Sequence, residues 1–260
     1  MDEKLIFDVC CHKGEDTEFY LKCGYKVIAF DALPKYIEYI RNRFYFAFNN
    51  LELITENCII GNSFADKIKF YESSHVDWCS TNVKIASRFD TLEAVHRIDK
   101  KPLSHFIEKY GVPYYCKIDI EGNDLEALQS LEVCAEKPKF ISCETECLGE
   151  NEVLSEEQVL ATLFQLHNLG YNKFQLVEQN SLRSVLFDSE VSMSAPLDTV
   201  RNKYGHDFQI GSSGVFGDML PEGYWVNFSQ ATNLILKFRE HWFKKNTLKC
   251  SFWCDWHAIN

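Results

Sequence analysis

The sequence predicts an α/β protein whose open, largely parallel sheet is covered by helices on both faces. Short apolar runs with strand character alternate with amphipathic segments along most of the chain, and this pattern is typical of such a sheet. The first elements are a strand over 4–9, a helix capped by Asp16 or Thr17 and ended by Gly24, and a strand over 26–30. A strand, a helix and a strand within about thirty residues indicate a right-handed βαβ crossover.

The same alternation continues through the middle of the chain. Helices are predicted over 35–48, 103–110 and 124–131, and strands over 51–60, 67–72, 92–98, 114–120, 139–144 and 174–178. The best-marked helix begins at Ser155, which forms a capping box with Gln158, and it ends at Gly170. These elements complete the pattern expected of a doubly covered sheet.

Residues 189–228 interrupt this alternation. The segment is rich in glycine and proline, has no sustained hydrophobic period, and contains aromatic residues such as Phe216 that can pack. We predict that it is an insertion that forms a lid or an acceptor site. An amphipathic helix over 230–245 and an aromatic tail follow, and residues 229–260 are expected to pack back on a single domain that spans 1–260.

Composition restricts the possible partners and compartment. The formal charge of −11 opposes binding to phosphate backbones, so no nucleic-acid partner is expected. The N-terminus lacks a basic region followed by a long apolar run, and no apolar stretch approaches the length of a membrane span. We therefore expect a cytoplasmic protein without a membrane partner. Its eleven cysteines are expected to be reduced and mostly buried, because their spacing supports no closed zinc site.

Acidic side chains stand where the predicted strands end. They are Asp8, Asp31, Asp119, Glu121 and Glu144. Ligands of open α/β sheets bind outside the carboxyl ends of the strands, near the point where the strand order reverses. The sequence therefore predicts a ligand site lined by these carboxylates.

The first two of these acids have the spacing of a nucleotide-binding unit. Asp8 and Asp31 are 23 residues apart, close to the offset of about 20 residues at which an acid binds a ribose hydroxyl. The first loop contains one glycine, Gly14, and does not match G-x-G-x-x-G, which disfavours a dinucleotide. A nucleoside without phosphates, such as S-adenosylmethionine, fits better. The alternatives are that Asp8 caps a helix and that Asp31 begins a turn.

Three motifs follow the predicted strands. The first two read Asp8-Val9-Cys10-Cys11-His12-Lys13-Gly14 and Phe30-Asp31-Ala32-Leu33-Pro34. The third, and the most specific, reads Lys117-Ile118-Asp119-Ile120-Glu121-Gly122-Asn123-Asp124. Together with the segments 211–218 and 255–258, these motifs make the chain resemble the FkbM family of methyltransferases over nearly its whole length.

The resemblance implies a fold, a cofactor and a reaction. The fold is a Rossmann-like class I methyltransferase fold, with a mostly parallel seven-stranded sheet and helices on both faces. The cofactor is S-adenosylmethionine, and the reaction is methyl transfer to a hydroxyl of a sugar, glycan or small natural product. The residues expected to bind the cofactor are Asp8, Cys10, His12, Gly14, Asp31, Asp119 and Glu121.

The chain departs from the family pattern at the first loop. Where the family has Gly-Ala-Asn this chain has Cys10-Cys11-His12, and Asp31 and Asp124 are shorter than the usual Glu. Side-chain atoms then stand where the backbone usually passes close to the cofactor. This departure leaves open a catalytically weak or inactive cofactor-binding pseudoenzyme. A second alternative is a nicotinamide-dependent oxidoreductase, which the missing glycines disfavour.

An alcohol acceptor needs a group that takes its proton. Asp119 is the first candidate because it stands at a strand end, followed by Glu144 and His12, with His257 in the tail a weaker one. The competing interpretation of Glu144 is a salt bridge or a cap, and that of His257 is a packed residue of an aromatic cluster. No metal is predicted, although Asp119, Glu121 and Glu144 are residue types that Mg²⁺ accepts as ligands.

Overall fold

A computed structural model describes residues 4–75, 78–145, 155–187, 191–194, 197–209, 211–245 and 253–260. The strands are β1 (Leu5–Val9), β2 (Lys26–Asp31), β3 (Leu53–Asn57), β4 (Ile59–Gly61), β5 (Ala65–Ser73), β6 (Leu92–Pro102), β7 (Tyr115–Ile118), β8 (Phe140–Glu144), β9 (Lys173–Glu178), β10 (Arg183–Phe187), β11 (Val191–Ser194) and β12 (Cys254–Ile259). The helices are α1 (Glu15–Lys22), α2 (Pro34–Arg43), α3 (Tyr45–Asn49), α4 (Val83–Ala86), α5 (Leu103–Tyr110), α6 (Asp124–Gln129), α7 (Glu156–Asn168), α8 (Leu197–Tyr204) and α9 (Phe228–Lys245).

The predicted Rossmann-like α/β class is confirmed, but the predicted number of strands is wrong. Within the described ranges the larger sheet has nine strands instead of seven, and a second sheet has three strands in the order β4-β6-β5. The strand predicted over 51–60 is in fact two strands that belong to different sheets, β3 to the larger and β4 to the smaller.

The chain divides into two compact units, and the first comprises residues 1–113 and 118–137. In this unit β1, β2 and β3 are neighbours and run parallel, with Asp8 opposite Ala29 and Phe30 opposite Glu56. The central strands β1 and β2 are buried along almost their whole length, as expected of strands covered on both faces. Asp8 and Asp31 consequently lie near the carboxyl ends of adjacent parallel strands.

The start of α1 differs from the prediction. Its N-cap is Gly14, whereas Asp16 and Thr17 lie buried inside the first turn. Neither predicted cap is correct. The physical reason is visible at Thr17, whose hydroxyl donates a hydrogen bond to the carboxylate of Asp8 instead of accepting one from a helix N–H. Gly24 follows the end of the helix with φ 80°, as predicted.

The second unit comprises residues 114–117 and 138–260. Its strands follow the order β11-β10-β9-β12-β8-β7. The aromatic tail, expected only to pack back, is the interior strand β12, which pairs antiparallel with both β8 and β9. Trp256 stands opposite Cys143 on one side and Leu176 on the other, and it is completely buried.

Residues 189–228 contain more regular structure than predicted. β11 pairs antiparallel with β10, and α8 follows it. The glycine-rich part that comes next is packed, since Phe216 is 1% exposed and its ring stacks on that of Tyr115 at 4.0 Å. The described part of this segment is therefore partly regular, and its predicted function as a lid or acceptor site stays a prediction.

The long helices of the second unit follow their sequence signals. The hydroxyl of Ser155 accepts a hydrogen bond from the N–H of Gln158, whose side chain accepts one from the N–H of Ser155, so the capping box is confirmed. The predicted apolar face of α9 is buried at Ala231, Leu234, Ile235 and Phe238, and the side chain of Trp242 lies outside the described residues. In the part of the chain that is described, no helix combines the length and apolar character needed to cross a bilayer.

The interior position of β12 predicts a large difference between two neighbouring tryptophans. Trp256→Ala removes a completely buried side chain and should lower the free energy of unfolding by about 3–5 kcal/mol. Trp253→Ala is the control, because that side chain is 43% exposed, and its effect should stay within about 1 kcal/mol. Chemical denaturation of both variants measures the difference. Equal effects would contradict the interior position of β12.

Candidate cofactor and catalytic site

The loop after β1 follows an unusual backbone path. Cys10, His12 and Gly14 have φ values of 66°, 47° and 81°, all in the left-handed region. The N–H of Cys11 donates to the carbonyl oxygen of Phe30 at 2.9 Å, and the N–H of Gly14 donates to that of Cys11 at 2.7 Å. Left-handed backbone costs a residue with a side chain about 1–2 kcal/mol. The loop therefore keeps dihedral angles that glycine favours although two of these positions are not glycine.

The carboxylate of Asp31 joins this loop to the one that follows β2. One oxygen accepts a hydrogen bond from the N–H of His12 at 3.1 Å, and the other accepts one from the N–H of Leu33 at 2.8 Å. Asp31 is 6% exposed. A buried carboxylate is stable when N–H groups solvate it in this way. Asp31 begins a turn, as the alternative interpretation expected, and at the same time fixes the position of the first loop.

Asp8 lies beneath the loop. Its side chain has no exposed surface, and one of its oxygens accepts a hydrogen bond from the hydroxyl of Thr17 in α1. This contact connects the end of β1 to the first turn of the helix. The predicted direct contact of Asp8 with the cofactor stays a prediction.

His12 has a buried polar atom to which no described residue forms a hydrogen bond. Its Nδ1 lies 3.4 Å from a carboxylate oxygen of Glu15, and its ring packs edge-on against Tyr36 at 4.3 Å. Its Nε2 is buried and has no hydrogen-bond partner among the described residues. A buried ring nitrogen is usually hydrogen-bonded, so this atom is suited to meet a ligand or an ordered water.

Asp119 and Glu121 lie on the loop between β7 and α6, and both are half-buried. Asp124 is 2% exposed and accepts a hydrogen bond from the N–H of Ile120 at 3.2 Å. The shorter Asp124 therefore still binds the loop backbone. Gly122, with φ 84°, forms the turn.

Sequence reasoning missed a residue that contacts this loop. Ser80 is 1% exposed, and its hydroxyl donates a hydrogen bond to the carbonyl oxygen of Glu121 at 2.8 Å.

The residue before Ser80, Cys79, packs against an apolar cluster formed by Leu33, Tyr36, Ile59, Phe70 and Ile98. Burial is the main cause that raises the pKa of Tyr36 and of Cys79, so both are neutral at pH 7. The segment 79–80 thus reaches from the neighbourhood of Asp31 to the Glu121 loop.

Glu144 and His257 belong to the second unit. Glu144 is half-buried at the end of β8, opposite Asp255. His257 is 2% exposed, pairs with Ser142 and Gln175 on the two neighbouring strands, and burial lowers its pKa to about 3. A neutral, enclosed imidazole agrees better with a packed residue than with a general base. The role of Glu144 as a base stays a prediction.

The parallel strands of the first unit, with acids at their carboxyl ends, have the arrangement at which Rossmann-type proteins bind their ligands. The sequence profile described as "Methyltransferase FkbM domain" matches residues 8–173, more than half of the chain. The chain therefore belongs to the FkbM methyltransferase family. This membership confirms two predictions, that the protein is a methyltransferase and that its cofactor is S-adenosylmethionine.

Similarity outside the family profile is low. Among curated proteins no sequence matches the chain. A methyltransferase from Archaeoglobus fulgidus is 11% identical with a TM-score of 0.43, over 100% of this chain and 87% of that one. The precorrin-6y C5,15-methyltransferase of Geobacter metallireducens is 8% identical with a TM-score of 0.36, over 74% and 73% of the two chains. The family assignment does not depend on these structures.

Gly14 and Gly24 form a matched pair that tests the packing of the first loop. Their φ values are 81° and 80°, but a Cβ at residue 14 would lie 2.6 Å from the Phe44 ring, whereas one at residue 24 would meet no atom of the described residues within 4 Å. Gly24→Ala should cost about 1–2 kcal/mol of unfolding free energy because of its backbone alone. Gly14→Ala should lower the unfolding free energy by about 1–3 kcal/mol more than Gly24→Ala does, because its Cβ would overlap the Phe44 ring. Urea unfolding gives both values, and equal costs would contradict the close packing.

His257 predicts a pH dependence of stability. Its pKa is about 3 in the folded protein and about 6.5 when unfolded. Between these values the unfolded chain binds a proton that the folded chain does not. Stability should therefore decline as the pH falls from about 6.5 towards 3, by up to about 1.4 kcal/mol per pH unit. His257→Gln removes this contribution, so the wild type should lose stability faster on acidification than the variant. Parallel stability curves of the two proteins would disprove this assignment.

Proposed function

We propose that the protein is an S-adenosylmethionine-dependent O-methyltransferase that acts on a hydroxyl group of a sugar, glycan or small natural product. The observation that carries the proposal, together with the family membership, is the Asp31 carboxylate, which joins the loops after β1 and β2 at the carboxyl ends of these strands. In this fold the adenosine part of a cofactor binds at that edge of the sheet.

The residues at this edge fit S-adenosylmethionine. Asp31 supplies a carboxylate, the group that accepts hydrogen bonds from ribose hydroxyls, and a carboxylate has about four lone-pair positions. The buried Nε2 of His12 has no partner among the described residues and offers a further polar contact. S-adenosylmethionine has no phosphate groups. This agrees with a first loop that lacks the glycines of the dinucleotide-binding motif G-x-G-x-x-G.

When bound, the cofactor supplies a methyl group on a positively charged sulfur. The protein has to bind it, align the acceptor oxygen with the methyl–sulfur bond and limit access of water. We assign binding to the first loop, with Cys10, His12, Gly14 and Asp31, with Asp8 beneath it. Alignment belongs to the loop that contains Asp119 and Glu121.

Asp119 is the first candidate for the group that takes the acceptor proton. It is half-buried, and the loop around it is held by Asp124 through the N–H of Ile120. A carboxylate restrained in this way is suited to orient a hydroxyl and to accept its proton. His12 and Glu144 are the alternative candidates. A net charge of −11 favours neutral or cationic acceptors over polyanionic ones.

We also propose that residues 1–260 act as one methyltransferase domain, in which residues 189–228 contribute to acceptor specificity. A second candidate function is a pseudoenzyme that binds the cofactor without turnover. The observation that favours it is the presence of side chains at Cys10 and His12, where the backbone has positive φ values.

The role of Asp31 predicts a loss of cofactor affinity in Asp31→Asn. The substitution removes the charge and one of the two acceptor oxygens at a position where both receive N–H donors. Lost charge-assisted hydrogen bonds should weaken binding of S-adenosylhomocysteine about 10- to 100-fold. Calorimetric titration measures this change. Asp99→Asn is the control, because Asp99 pairs with Lys67 on the surface of the smaller sheet.

Two results would overturn the proposal. One is a wild-type protein that binds neither S-adenosylmethionine nor S-adenosylhomocysteine. The other is equal affinity of Asp31→Asn and the wild type, which would show that the site lies elsewhere. Binding without label transfer from methyl-labelled cofactor to any hydroxyl compound of a broad acceptor panel would favour the pseudoenzyme.

A further inference from the structure

We propose that Ser80 and Thr81 are positioning residues that hold the loop 119–123 in the conformation that the reaction needs. The two residues are called the Ser80–Thr81 clamp below. This inference rests on the proposed function, because it takes Asp119 and Glu121 to face the cofactor and the acceptor. The motifs that reveal the family include neither Ser80 nor Thr81.

Ser80 connects the loop to the smaller sheet. Its hydroxyl donates a hydrogen bond to the carbonyl oxygen of Glu121 at 2.8 Å and accepts one from the N–H of Asn82 at 3.0 Å. Its backbone forms a bridge to Tyr71 of β5 through N–H to oxygen contacts of 2.9 and 3.1 Å. Hydrogen bonds of its backbone to Tyr71 and of its side chain to Asn82 therefore hold Ser80 in place. The hydrogen bond from its hydroxyl then restrains the carbonyl group of Glu121.

Thr81 holds the other side of the same turn. Its hydroxyl accepts a hydrogen bond from the side-chain nitrogen of Asn123 at 2.8 Å. The same hydroxyl donates to the side-chain oxygen of Asn123 at 3.1 Å. Thr81 and Ser80 thus bind the residues that flank Gly122. The end of the Ile85 side chain also approaches the turn, since a Cβ on Gly122 would lie 2.8 Å from it.

A turn built around glycine needs such restraints. Glycine has access to more backbone conformations than any other residue, so Gly122 with φ 84° does not by itself fix the direction of its neighbours. Asp119 and Glu121 stand within three residues of it. Catalytic groups have to be held closely, because a displacement of about 1 Å can cost about 100-fold in rate.

The clamp also lies next to the other half of the site. Cys79, directly before Ser80, packs against the cluster that contains Leu33 and Tyr36. Leu33 donates its N–H to Asp31, and Tyr36 contacts the ring of His12. One short segment therefore contacts the elements that hold the first loop and, one residue later, the loop of Asp119. The clamp sets the position of the second loop relative to the first.

The sharpest test compares two substitutions of Thr81. Thr81→Val keeps the shape but loses the hydroxyl, whereas Thr81→Ser keeps the hydroxyl and loses the methyl group. If the hydrogen bonds to Asn123 position the loop, Thr81→Val should bind S-adenosylhomocysteine about threefold to tenfold more weakly than the wild type. The affinity of Thr81→Ser for S-adenosylhomocysteine should stay within about twofold of the wild-type affinity. Calorimetric titration below the melting temperature of each protein measures these affinities.

A second measurement reports on the loop without the cofactor. Hydrogen exchange followed by mass spectrometry should show faster exchange of the peptide that covers 119–124 in Ser80→Ala and Thr81→Val than in the wild type. Ser63→Ala is the control, because Ser63 is exposed and its hydroxyl bonds to its neighbour Asn62. This control should leave both affinity and exchange unchanged.

The outcomes separate the clamp from the proposed function. A wild type that does not bind S-adenosylhomocysteine contradicts the proposed function, while the exchange of 119–124 still decides whether the clamp restrains the loop. Wild-type binding with unchanged affinity and exchange in Thr81→Val overturns the clamp. Equal losses in Thr81→Ser and Thr81→Val also overturn it, because the methyl group and not the hydroxyl would then matter. The Thr81 pair decides the question even where Ser80→Ala fails to fold.

Discussion

The candidate site depends on the two hydrogen bonds that the carboxylate of Asp31 accepts from the N–H groups of His12 and Leu33. The parallel pairing of β1 with β2 brings both loops to the same edge of the sheet. A nearly buried charge at that edge is stable only when hydrogen-bond donors surround it, and the loop backbones supply them. The acid therefore determines the path of the first loop, and the position of His12 and of the helix that begins after Gly14 follows from it.

The fold was predictable where a segment contains its own structural signal. The first βαβ unit and the helix capped by Ser155 have clear hydrophobic periods and end signals, and they occur close to the expected positions. The strand β12 was not predicted as a strand, because its pairing partners β8 and β9 are far away in the sequence. An aromatic tail that includes Trp256 looks the same in sequence whether it covers a surface or fills the middle of a sheet. Tertiary pairing, which a local pattern does not contain, decides between them.

The candidate site likewise contains residues that the sequence pattern identified and residues that it missed. Asp31 and Asp119 were selected because residues at strand ends have a predictable location in parallel sheets. Ser80 was missed because its partner is the backbone oxygen of Glu121, and a backbone acceptor leaves no trace in the side-chain pattern. Asp8 was identified by position, whereas its complete burial and its hydrogen bond with Thr17 could not be read from that position. Sequence position alone therefore indicated which residues stand at strand ends, but not which of them face a ligand.

The first loop carries side chains at two positions where its backbone adopts conformations that glycine favours. Cys10 and His12 adopt left-handed conformations that glycine adopts at little cost. Such strained backbone persists only where surrounding contacts hold it in place. It occurs often at functional sites. Here the surroundings are the bonds from His12 to Asp31 and from Cys11 to Phe30. Positive φ values also occur at Leu51, Lys67 and Leu182, away from this loop, so the backbone alone does not identify a binding surface. The contact of Cys10 and His12 with the cofactor stays a prediction that the hydrogen bonds of this loop make testable.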